Sequence, residues 1–460
     1  MFQLFVQWFQ SVSSLGMRLC ERRTLLFTDV KTSFFNSLIE VTTSLTPLSH
    51  DEYEFPRDIR TIRVNRVKAR AAMATSDSKQ IKKHSVFSQL YTEMKSWSGS
   101  SLRRSFIAKG HGGQKRAFKV KLVGEGVNDY SGPYREVFAD ALNEVFLTDI
   151  SGNGYLGLTV RTANAIADVG EARNLFLLAG DHDDDVQQID LIKSCVSPDE
   201  RLLIENYSTY LGLQRESQTE IGDSIFFLGL LCGIALRHKI QLDLSFPLHA
   251  FWKILCAETV NGSDSLREID YLGWRRLYDH GEMLQSEVSP PAVLQQRMLN
   301  MFAQGLSIVV PTEVFTLFTG SELQSLFCGR DVIDIQLLKN VAEYEGFDKD
   351  SESIKNFWDI MEGFSEEERK LFLQFVWSRR RLPKKKSDFE STFKIQRDTK
   401  SGSENSLPSA STCFFTLTLP IYRDKDTMRD KLLFAINNVT TMESDYVTND
   451  VEVGEGWRNI

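Results

Sequence analysis

One cysteine of the chain lies where a thiol could do chemistry. Cys413 follows a Pro- and Ser-rich stretch from Leu407 to Thr412, and the alternating apolar residues after it predict a strand that begins near Phe415. A junction between a loop and a strand can hold a sulfur at the surface while the strand fixes its position. This context favours a reactive thiol, and it is equally compatible with a structural one.

The other cysteines have less suitable surroundings. Cys232 and Cys256 lie within apolar helical segments, where cysteine behaves as a small hydrophobic residue, and Cys195 and Cys328 flank loops without an activating neighbour. The six cysteines form no C-x-x-C pair, and they are too few for a disulfide scaffold in a chain of 460 residues. We therefore expect reduced thiols, no metal site and no cofactor.

The positions of the histidines limit the kind of cysteine chemistry. A cysteine hydrolase commonly pairs its nucleophile with a histidine base. All seven histidines lie at or before His280, so residues 281–460 contain none. Thioester exchange needs no such base, because one thiolate attacks another thioester at nearly constant free energy and requires only access and thiolate character. This favours acyl transfer over hydrolysis at Cys413.

The elements that would position Cys413 form a small α/β pattern. Ser365 and Glu368 have the spacing of a capping box, and the helix that they open has an apolar face and ends before Pro383. Residues 415–419 alternate apolar side chains with threonines, which is typical of a strand with one buried face. An amphipathic helix is predicted over residues 424–437.

The longer region before residue 330 predicts mostly helices with small β elements. Alternating residues at 118–122 indicate a strand, and helices are predicted over residues 134–147, 223–256 (two helices) and 292–310. The first 85 residues alternate apolar helical pieces with a polar stretch. Together these patterns predict a chain of two or three domains, since 460 residues exceed one compact core.

Composition and charge exclude several classes of protein. With 42% hydrophobic and 25% charged residues the chain is typical of a folded protein, and its net charge of -8 gives no electrostatic reason to expect nucleic acid as a partner. Its longest uncharged apolar run, residues 225–236, is too short to cross a bilayer. The basic cluster 378–386 predicts a solvated interdomain loop, and the acidic run 181–185 a solvated loop rather than a metal site.

Several segments resemble HECT-type E3 ubiquitin ligases. LPSASTCFFTLTLPIY (407–422), followed by DKLLFAINN, resembles the family's catalytic-cysteine segment L-P-x-x-x-T-C-F with a strand ending in L-P-x-Y. FWDIMEGFSEEERKLFLQFV (357–376) resembles the helix pair that opens the C-terminal lobe, whereas GVNDYSGPYREVF (126–138) and LDLSFPLHAFWKIL (242–255) resemble parts of the N-terminal lobe. The resemblance covers roughly residues 85–445, and its sequence variants are closest to the large HERC subgroup.

The resemblance implies an α+β, two-lobed HECT fold. A mostly helical N-lobe with small β elements would dock the E2 ubiquitin-conjugating enzyme, and a smaller α/β C-lobe would carry the cysteine on a flexible hinge near residues 330–336. The expected division is an upstream segment of unknown role (1–85), the N-lobe (86–333) and the C-lobe with an acidic tail (334–460). The hinge is needed because one sulfur must reach the conjugating enzyme at one moment and a substrate lysine at another.

The resemblance also assigns roles to individual residues. Cys413 would carry ubiquitin as a glycyl thioester before its transfer to a lysine of a protein substrate, with Thr412, Phe414, Leu407 and Pro408 in support. The implied partners are therefore ubiquitin, a conjugating enzyme and a protein substrate, without nucleic acid or a membrane span. We expect the cytoplasm as the compartment, with the nucleus as the alternative.

Further expectations concern charged groups outside the cysteine segment. Arg135 and Glu136 match a charged pair of the N-lobe and are expected to have a structural role. The carboxylates of the acidic tail are candidates for taking the proton from an attacking lysine. These candidates are Glu443, Asp445, Asp450, Glu452 and Glu455.

The chain departs from the family pattern in two places. The segment near 275–292 is short where the family has a subdomain that grips the conjugating enzyme, and the usual T-G-x-S-R-L-P turn is W-S-R-R-R-L-P in residues 377–383. The first departure leaves an alternative function open. The chain could be a catalytically impaired HECT-like scaffold, or an interaction fragment that lacks docking of the conjugating enzyme.

Overall fold

The computed structural model describes most of the chain, with gaps. The described residues are 15–44, 59–75, 77–107, 114–125, 131–170, 173–179, 220–279, 290–329, 332–377, 381–383, 385–386, 389, 391–399, 406–411 and 415–438. They form two units, each with its own hydrophobic core: one core contains residues between Cys20 and Cys328, and the other contains residues between Ile333 and Ile436.

The first unit, residues 15–329, is mostly helical. In chain order its helices are α1 (Leu15–Glu21), α2 (Thr28–Val41), α3 (Arg66–Ala74), α4 (Ser78–His84), α5 (Val86–Met94), α6 (Gly99–Leu102), α7 (Ser131–Phe146), α8 (Ala163–Ala167), α9 (Glu220–Arg237), α10 (Lys253–Leu255), α11 (Gly262–Ile269), α12 (Tyr271–Asp279), α13 (Pro290–Ser307) and α14 (Gly320–Cys328). Short 3-10 helices at Arg23–Leu25 and Thr312–Leu317 and a π-helix at Leu248–Trp252 complete its helical content among the described residues.

Two small sheets support these helices. Strand β1 (Thr61–Val64) pairs in parallel with β2 (Lys119–Leu122), and β3 (Thr159–Arg161) pairs antiparallel with β4 (Phe176–Leu178). The predicted strand at 118–122 and the helices at 134–147 and 292–310 are thus confirmed as β2, α7 and α13, with ends shifted by one to three residues.

The described polar residues between 64 and 85 form helices, because tertiary contacts satisfy their charges. Arg66, at the start of α3, is only 3% exposed and forms ion pairs with Glu125 and, at 2.5 Å, with Glu136. Apolar residues of this stretch, such as Ile62 and Ile81, lie in the same core as the later helices. The described part of 1–85 therefore packs as part of the first unit, and the boundaries 1–85, 86–333 and 334–460 stay predictions.

Helices α9 and α13 cross at glycines that allow their backbones to touch. A Cβ atom built on Gly305 would lie 1.8 Å from the carbonyl oxygen of Phe226, and one built on Gly229 would lie 1.9 Å from that of Phe302. These distances are far below any van der Waals contact, so both positions require the absence of a side chain. The crossing fixes the spacing of the two long helices of the first core.

A buried histidine joins α9 to the segment before β2. The Nε2 of His238 lies 3.0 Å from the carbonyl oxygen of Arg104, which can only accept, so Nε2 carries the proton. The Nδ1 of His238 therefore accepts from the Tyr134 hydroxyl at 3.1 Å, and that hydroxyl accepts from the backbone N–H of Ala117. Burial lowers the pKa of His238 to about 3, so the ring is neutral at physiological pH.

The second unit places a four-stranded sheet against helices. Its elements are α15 (Ile335–Asn340), β5 (Ala342–Glu345), α16 (Glu352–Gly363), α17 (Glu366–Trp377), β6 (Phe393–Arg397), β7 (Ser409–Ser411), β8 (Thr416–Leu419) and α18 (Lys425–Asn438). The strand order is β5-β6-β8-β7, with β7 antiparallel to β8 and the other pairs parallel.

The sequence predictions for this unit are confirmed in β8, α18 and the capping box. The Ser365 hydroxyl accepts from the backbone N–H of Glu368 at 3.3 Å, and the Glu368 carboxylate accepts from the backbone N–H of Ser365 at 2.7 Å. These two bonds satisfy groups that the first turn of α17 would otherwise leave unpaired. The helix then carries Phe372 and Trp377 into the core.

Candidate functional site

The predicted nucleophile lies, in the sequence, between two described strands. Thr412, Cys413 and Phe414 are outside the described residues, and the chain connects them to Ser411 on one side and Phe415 on the other. Ser411 pairs with Thr416 across the β7–β8 ladder, so only four residues separate two paired positions. Covalent geometry therefore keeps residue 413 within about two Cα–Cα steps, roughly 7.6 Å, of both described neighbours.

The segment before the cysteine is a strand where the sequence predicted a loop. Residues Ser409, Ala410 and Ser411 pair with Thr418, Leu417 and Thr416 and form the edge of the sheet. Small residues give only a weak strand signal, and pairing with the strongly patterned β8 decides the conformation. The candidate site is therefore held by backbone hydrogen bonds on both sides of residues 412–414.

Leu407 and Pro408, the two described supporting residues, differ in exposure. The Leu407 side chain is 42% exposed, whereas Pro408 is buried. The hydroxyl of Tyr422, from the L-P-x-Y end of the segment, donates to the carbonyl oxygen of Ser406 at 2.8 Å. Burial raises the pKa of Tyr422, with Asp398 adding to the effect, so its hydroxyl keeps the proton that it donates. This bond closes the open end of the β7–β8 hairpin.

Phe415 begins the return strand in an unusual conformation. Its φ angle is +50°, in the left-handed region that side chains rarely adopt, and its side chain is fully buried. The Phe415 ring stacks on Trp377 with a centroid separation of 4.1 Å and an interplanar angle of 8°. Phe393 of β6 packs on the same ring at 4.9 Å. No sequence pattern indicated these contacts, which join residues far apart in the chain.

The four cysteines within the described residues are poor candidates for a nucleophile. Cys20, Cys232, Cys256 and Cys328 are all buried and take part in no disulfide. Burial raises the thiol pKa of Cys20, Cys232 and Cys256, which lowers the fraction of reactive thiolate. The prediction that Cys232 and Cys256 act as small hydrophobic residues is confirmed, since both are 0% exposed. Cys195 lies outside the described residues.

Described residues of the basic segment 378–386 contact the first unit. Arg381 donates from Nε and Nη2 to Oδ1 of Asp243, at 3.2 and 3.1 Å, and Lys385 forms an exposed ion pair with Asp29 at 2.9 Å. These contacts agree with the interdomain part of the prediction. The expected solvation was wrong for Leu382, which is fully buried, because apolar groups of the fold cover its side chain.

The predicted hinge coincides with the gap between the two cores. Arg330 and Asp331 are outside the described residues, while Gly329 ends α14 at a φ of +77°. After the gap the backbone N–H of Ile333 donates to the Glu366 carboxylate at 3.0 Å, so the chain is already bound to α17 there. The hinge near residues 330–336 stays a prediction.

Two charged residues of the N-terminal part, predicted to be structural, are buried. Arg135 is 3% and Glu136 6% exposed, and Glu136 accepts from Arg66. Buried charges of this kind are tied to partners within the fold, which supports the structural interpretation. The acidic run 181–185 and the carboxylates of the acidic tail lie outside the described residues.

Two other kinds of feature are absent from the described residues. No helix among them is long and apolar enough to span a bilayer. In the same part of the chain, no group of three or more His, Cys, Asp or Glu residues is placed to hold a metal ion.

Comparison with known proteins assigns this chain to a family. Residues 189–290 and 292–445 match the HECT-domain (ubiquitin-transferase) family. These segments hold more than half of the chain, which therefore belongs to this family, and the predicted α+β, two-lobed HECT fold is confirmed. The interruption at residue 291 falls within the segment 275–292, where the sequence predicted a shortened subdomain.

Individual relatives refine this placement. The chain is 28% identical over 480 aligned positions to the human E3 ubiquitin-protein ligase HERC2, a match that covers 94% of this chain and 9% of that protein. It is 38% identical over 147 residues to the E3 ubiquitin-protein ligase HUL5 of Saccharomyces cerevisiae, covering 30% of this chain and 15% of HUL5. The similarity is thus HERC-like, and the chain spans less than a tenth of HERC2.

Proposed function

We propose that this chain is the catalytic part of an E3 ubiquitin-protein ligase. In the first step the Cys413 thiolate attacks the thioester of a ubiquitin-loaded conjugating enzyme and displaces that enzyme's thiolate. In the second step the neutral amine of a substrate lysine attacks the new thioester, forms an isopeptide bond and releases the Cys413 thiolate, while the amine proton passes to a base. No metal or cofactor takes part in either step.

One observation carries the proposal. The segment L-P-x-x-x-T-C-F lies within the part of the chain that matches the ubiquitin-transferase family, and its described ends are fixed in a hairpin at the edge of the sheet. The burial of Cys20, Cys232, Cys256 and Cys328 supports it further, because it leaves Cys413 with fewer competitors for the role of nucleophile.

A charging assay tests the proposal. The protein is mixed with activating enzyme, a panel of conjugating enzymes, ATP and ubiquitin, and the products are separated on a non-reducing gel. We expect an adduct that thiol reagents cleave, that disappears in Cys413→Ala and that becomes resistant to thiols in Cys413→Ser, because the serine would form an oxygen ester. Cys195→Ala is the matched control, since it removes another thiol outside the described residues and should leave the adduct unchanged.

The alternative function predicts a different outcome of the same assay. If the short segment 275–292 cannot hold a conjugating enzyme, no adduct should form with any member of the panel. Binding of a loaded conjugating enzyme without transfer would then favour a non-catalytic HECT scaffold. An adduct that survives in Cys413→Ala would refute the assignment of the nucleophile.

The acidic tail is proposed to assist the second step alone. A carboxylate near the thioester would help to remove the proton from the attacking lysine. Deletion of the residues after Ser444 should therefore slow transfer from Cys413 to free lysine while leaving the formation of the adduct unchanged. Equal rates of lysine transfer with and without the tail would exclude this role.

The proposed partners follow from the reaction. They are ubiquitin, a ubiquitin-conjugating enzyme and a protein substrate, and the proposed compartment is the cytoplasm, with the nucleus as the alternative. The family match supports the first two partners, because both are reactants of a ubiquitin transferase.

A further inference from the structure

The backbone at Phe415 is held in a conformation that its own residue type disfavours. A left-handed φ is unfavourable for a residue with a bulky side chain, and asparagine or glycine would accept it more readily. Phe415 nevertheless adopts a φ of +50°, directly after the three residues that contain the predicted nucleophile. Something in the surrounding structure must therefore stabilise this conformation.

The stabilising contact is an aromatic stack centred on Trp377. The Trp377 indole is fully buried and lies nearly parallel to two rings: Phe415 at 4.1 Å and 8°, and Phe389 at 5.5 Å and 1°. Stacked aromatic pairs stabilise a fold beyond the burial of their surface. The stack thus offsets part of the cost of the left-handed backbone at Phe415.

Trp377 also connects the β7–β8 hairpin (residues 409–419, here called the cysteine hairpin) to the boundary between the two units. It is the last residue of α17 and directly precedes the basic segment whose Arg381 binds Asp243 of the first unit. The carbonyl oxygen of Leu382, in the same segment, packs against Gly329. The position that Trp377 occupies is one where the sequence departs from the T-G-x-S-R-L-P pattern of the family.

We propose that Trp377 is a positioning residue for the thiol of Cys413. By stacking on Phe415 it keeps this residue left-handed, and so it fixes the backbone conformation at the described position next to the cysteine segment. Without the stack, Phe415 would relax to a negative φ and rotate the peptide that leads back to the nucleophile. This inference rests on the proposed thioester function, and it adds a residue that no sequence motif identifies.

The expected effect is on transfer rather than on binding. The transfer steps need the sulfur aligned with a thioester or an amine, and a displacement of about 1 Å can slow such a reaction by about 100-fold. The surface that docks the conjugating enzyme lies elsewhere in the proposal, so the KM for the loaded enzyme should change little. A loss of stability alone would not separate kcat from KM in this way.

The test compares two substitutions that each replace a buried aromatic ring by leucine in the same core. Trp377→Leu removes the ring next to the cysteine hairpin, whereas Phe357→Leu removes a fully buried ring that packs on Trp358 and Phe372. Trp377→Phe keeps a ring that can stack and should rescue function. All variants are made in the full chain, and the melting temperature, kcat and KM for transfer to lysine are measured for each.

We expect Trp377→Leu to lower kcat by about tenfold or more, with KM within about twofold of the wild type. Trp377→Phe and Phe357→Leu should both stay within about twofold in kcat, the latter despite a lower melting temperature. Equal slowing by Trp377→Leu and Phe357→Leu, or no slowing by either, would overturn the proposal. Should Trp377→Leu fail to fold, Phe389→Leu removes a half-buried ring of the same stack and is judged by the same criteria.

A second measurement separates this inference from the proposed function. The rate at which iodoacetamide alkylates Cys413 is followed by mass spectrometry across a range of pH and needs no conjugating enzyme. A changed rate or pH profile in Trp377→Leu but not in Phe357→Leu would support the positioning role even if the wild type forms no ubiquitin adduct. If the wild type forms the adduct and Trp377→Leu changes neither the pH profile of alkylation nor kcat, the result supports the proposed function and refutes the positioning role.

Discussion

Replacing Gly305 by alanine should destabilise the first unit, and the structure gives the size of the effect. The added Cβ would lie 1.8 Å from the carbonyl oxygen of Phe226, and ordinary contact begins at 3.4 Å, so α9 and α13 would have to separate by about 1.6 Å, the difference between these distances. Overpacking of this kind costs about 1–3 kcal/mol, and here the three nearest atoms are all backbone atoms of α9. The higher helix propensity of alanine stabilises α13 by about 1 kcal/mol relative to glycine. Because backbone atoms cannot move aside as side chains can, we expect the cost to lie at the upper end of its range and the net loss to be about 2 kcal/mol.

Gly363→Ala is the matched control, because Gly363 is the last residue of α16 and a Cβ there would have nothing within 4 Å. This change should be neutral or should stabilise the protein by a few tenths of a kcal/mol. Urea unfolding followed by circular dichroism gives the free energies, and hydrogen exchange with mass spectrometry shows whether the amides of α9 and α13 lose protection. Equal urea midpoints for Gly305→Ala and Gly363→Ala would refute the close crossing.

Three further predictions follow from single contacts. Because the pKa of His238 is lowered from 6.5 to about 3, the unfolded state binds more protons than the folded state between these pH values. The unfolding free energy should therefore fall by up to about 1.4 kcal/mol per pH unit as the pH drops from 6.5 towards 3. In urea titrations of both proteins, His238→Gln should lack this pH dependence. Arg381→Glu should repel Asp243 and weaken the contact between the units by about 1 kcal/mol, so hydrogen exchange of residues 381–389 should become roughly fivefold faster. Adding Asp243→Arg should restore the wild-type rate if the ion pair is the cause. Tyr422→Phe should lower the unfolding free energy by about 1 kcal/mol, since it removes the hydrogen bond to Ser406; an unchanged urea midpoint would contradict that bond's contribution.

The elements with strong periodicity could be predicted from the sequence. The capping box at Ser365 and the amphipathic pattern of residues 424–437 gave a helix start and a helix that the structure confirms. The alternation after Phe415 likewise predicted β8. In each case the local signal and the packing of one apolar face agree, so no distant contact was needed to decide the conformation.

Elements decided by distant partners were missed. The strand Ser409–Ser411 has small side chains and exists because β8 lies beside it. The helix Arg66–Ala74 begins at a charged residue that its own segment could not bury, and it depends on Glu125 and Glu136, more than fifty residues away. Sequence patterns describe one segment at a time and cannot supply such partners.

The candidate site shows the same division. Cys413 could be chosen from its motif and from the distribution of histidines, both of which are visible in the letters of the chain. The contact between Trp377 and Phe415 could not, because the two residues are separated by a whole helix-to-strand connection and neither has a local pattern that indicates stacking. A positive φ at phenylalanine is likewise invisible in a sequence, since that residue type argues against it.

The two hydrophobic cores have no residue in common, and this has an evolutionary consequence. Mutations accumulate independently where packing is independent, so one half of such a molecule can be reshaped while the other keeps its geometry. The stretch between α12 and α13 connects two helices of the first unit, whereas strands β7 and β8, which flank the cysteine, belong to the second. Natural selection could therefore shorten the former, and change which donor enzymes are accepted, without disturbing the strands beside the thiol.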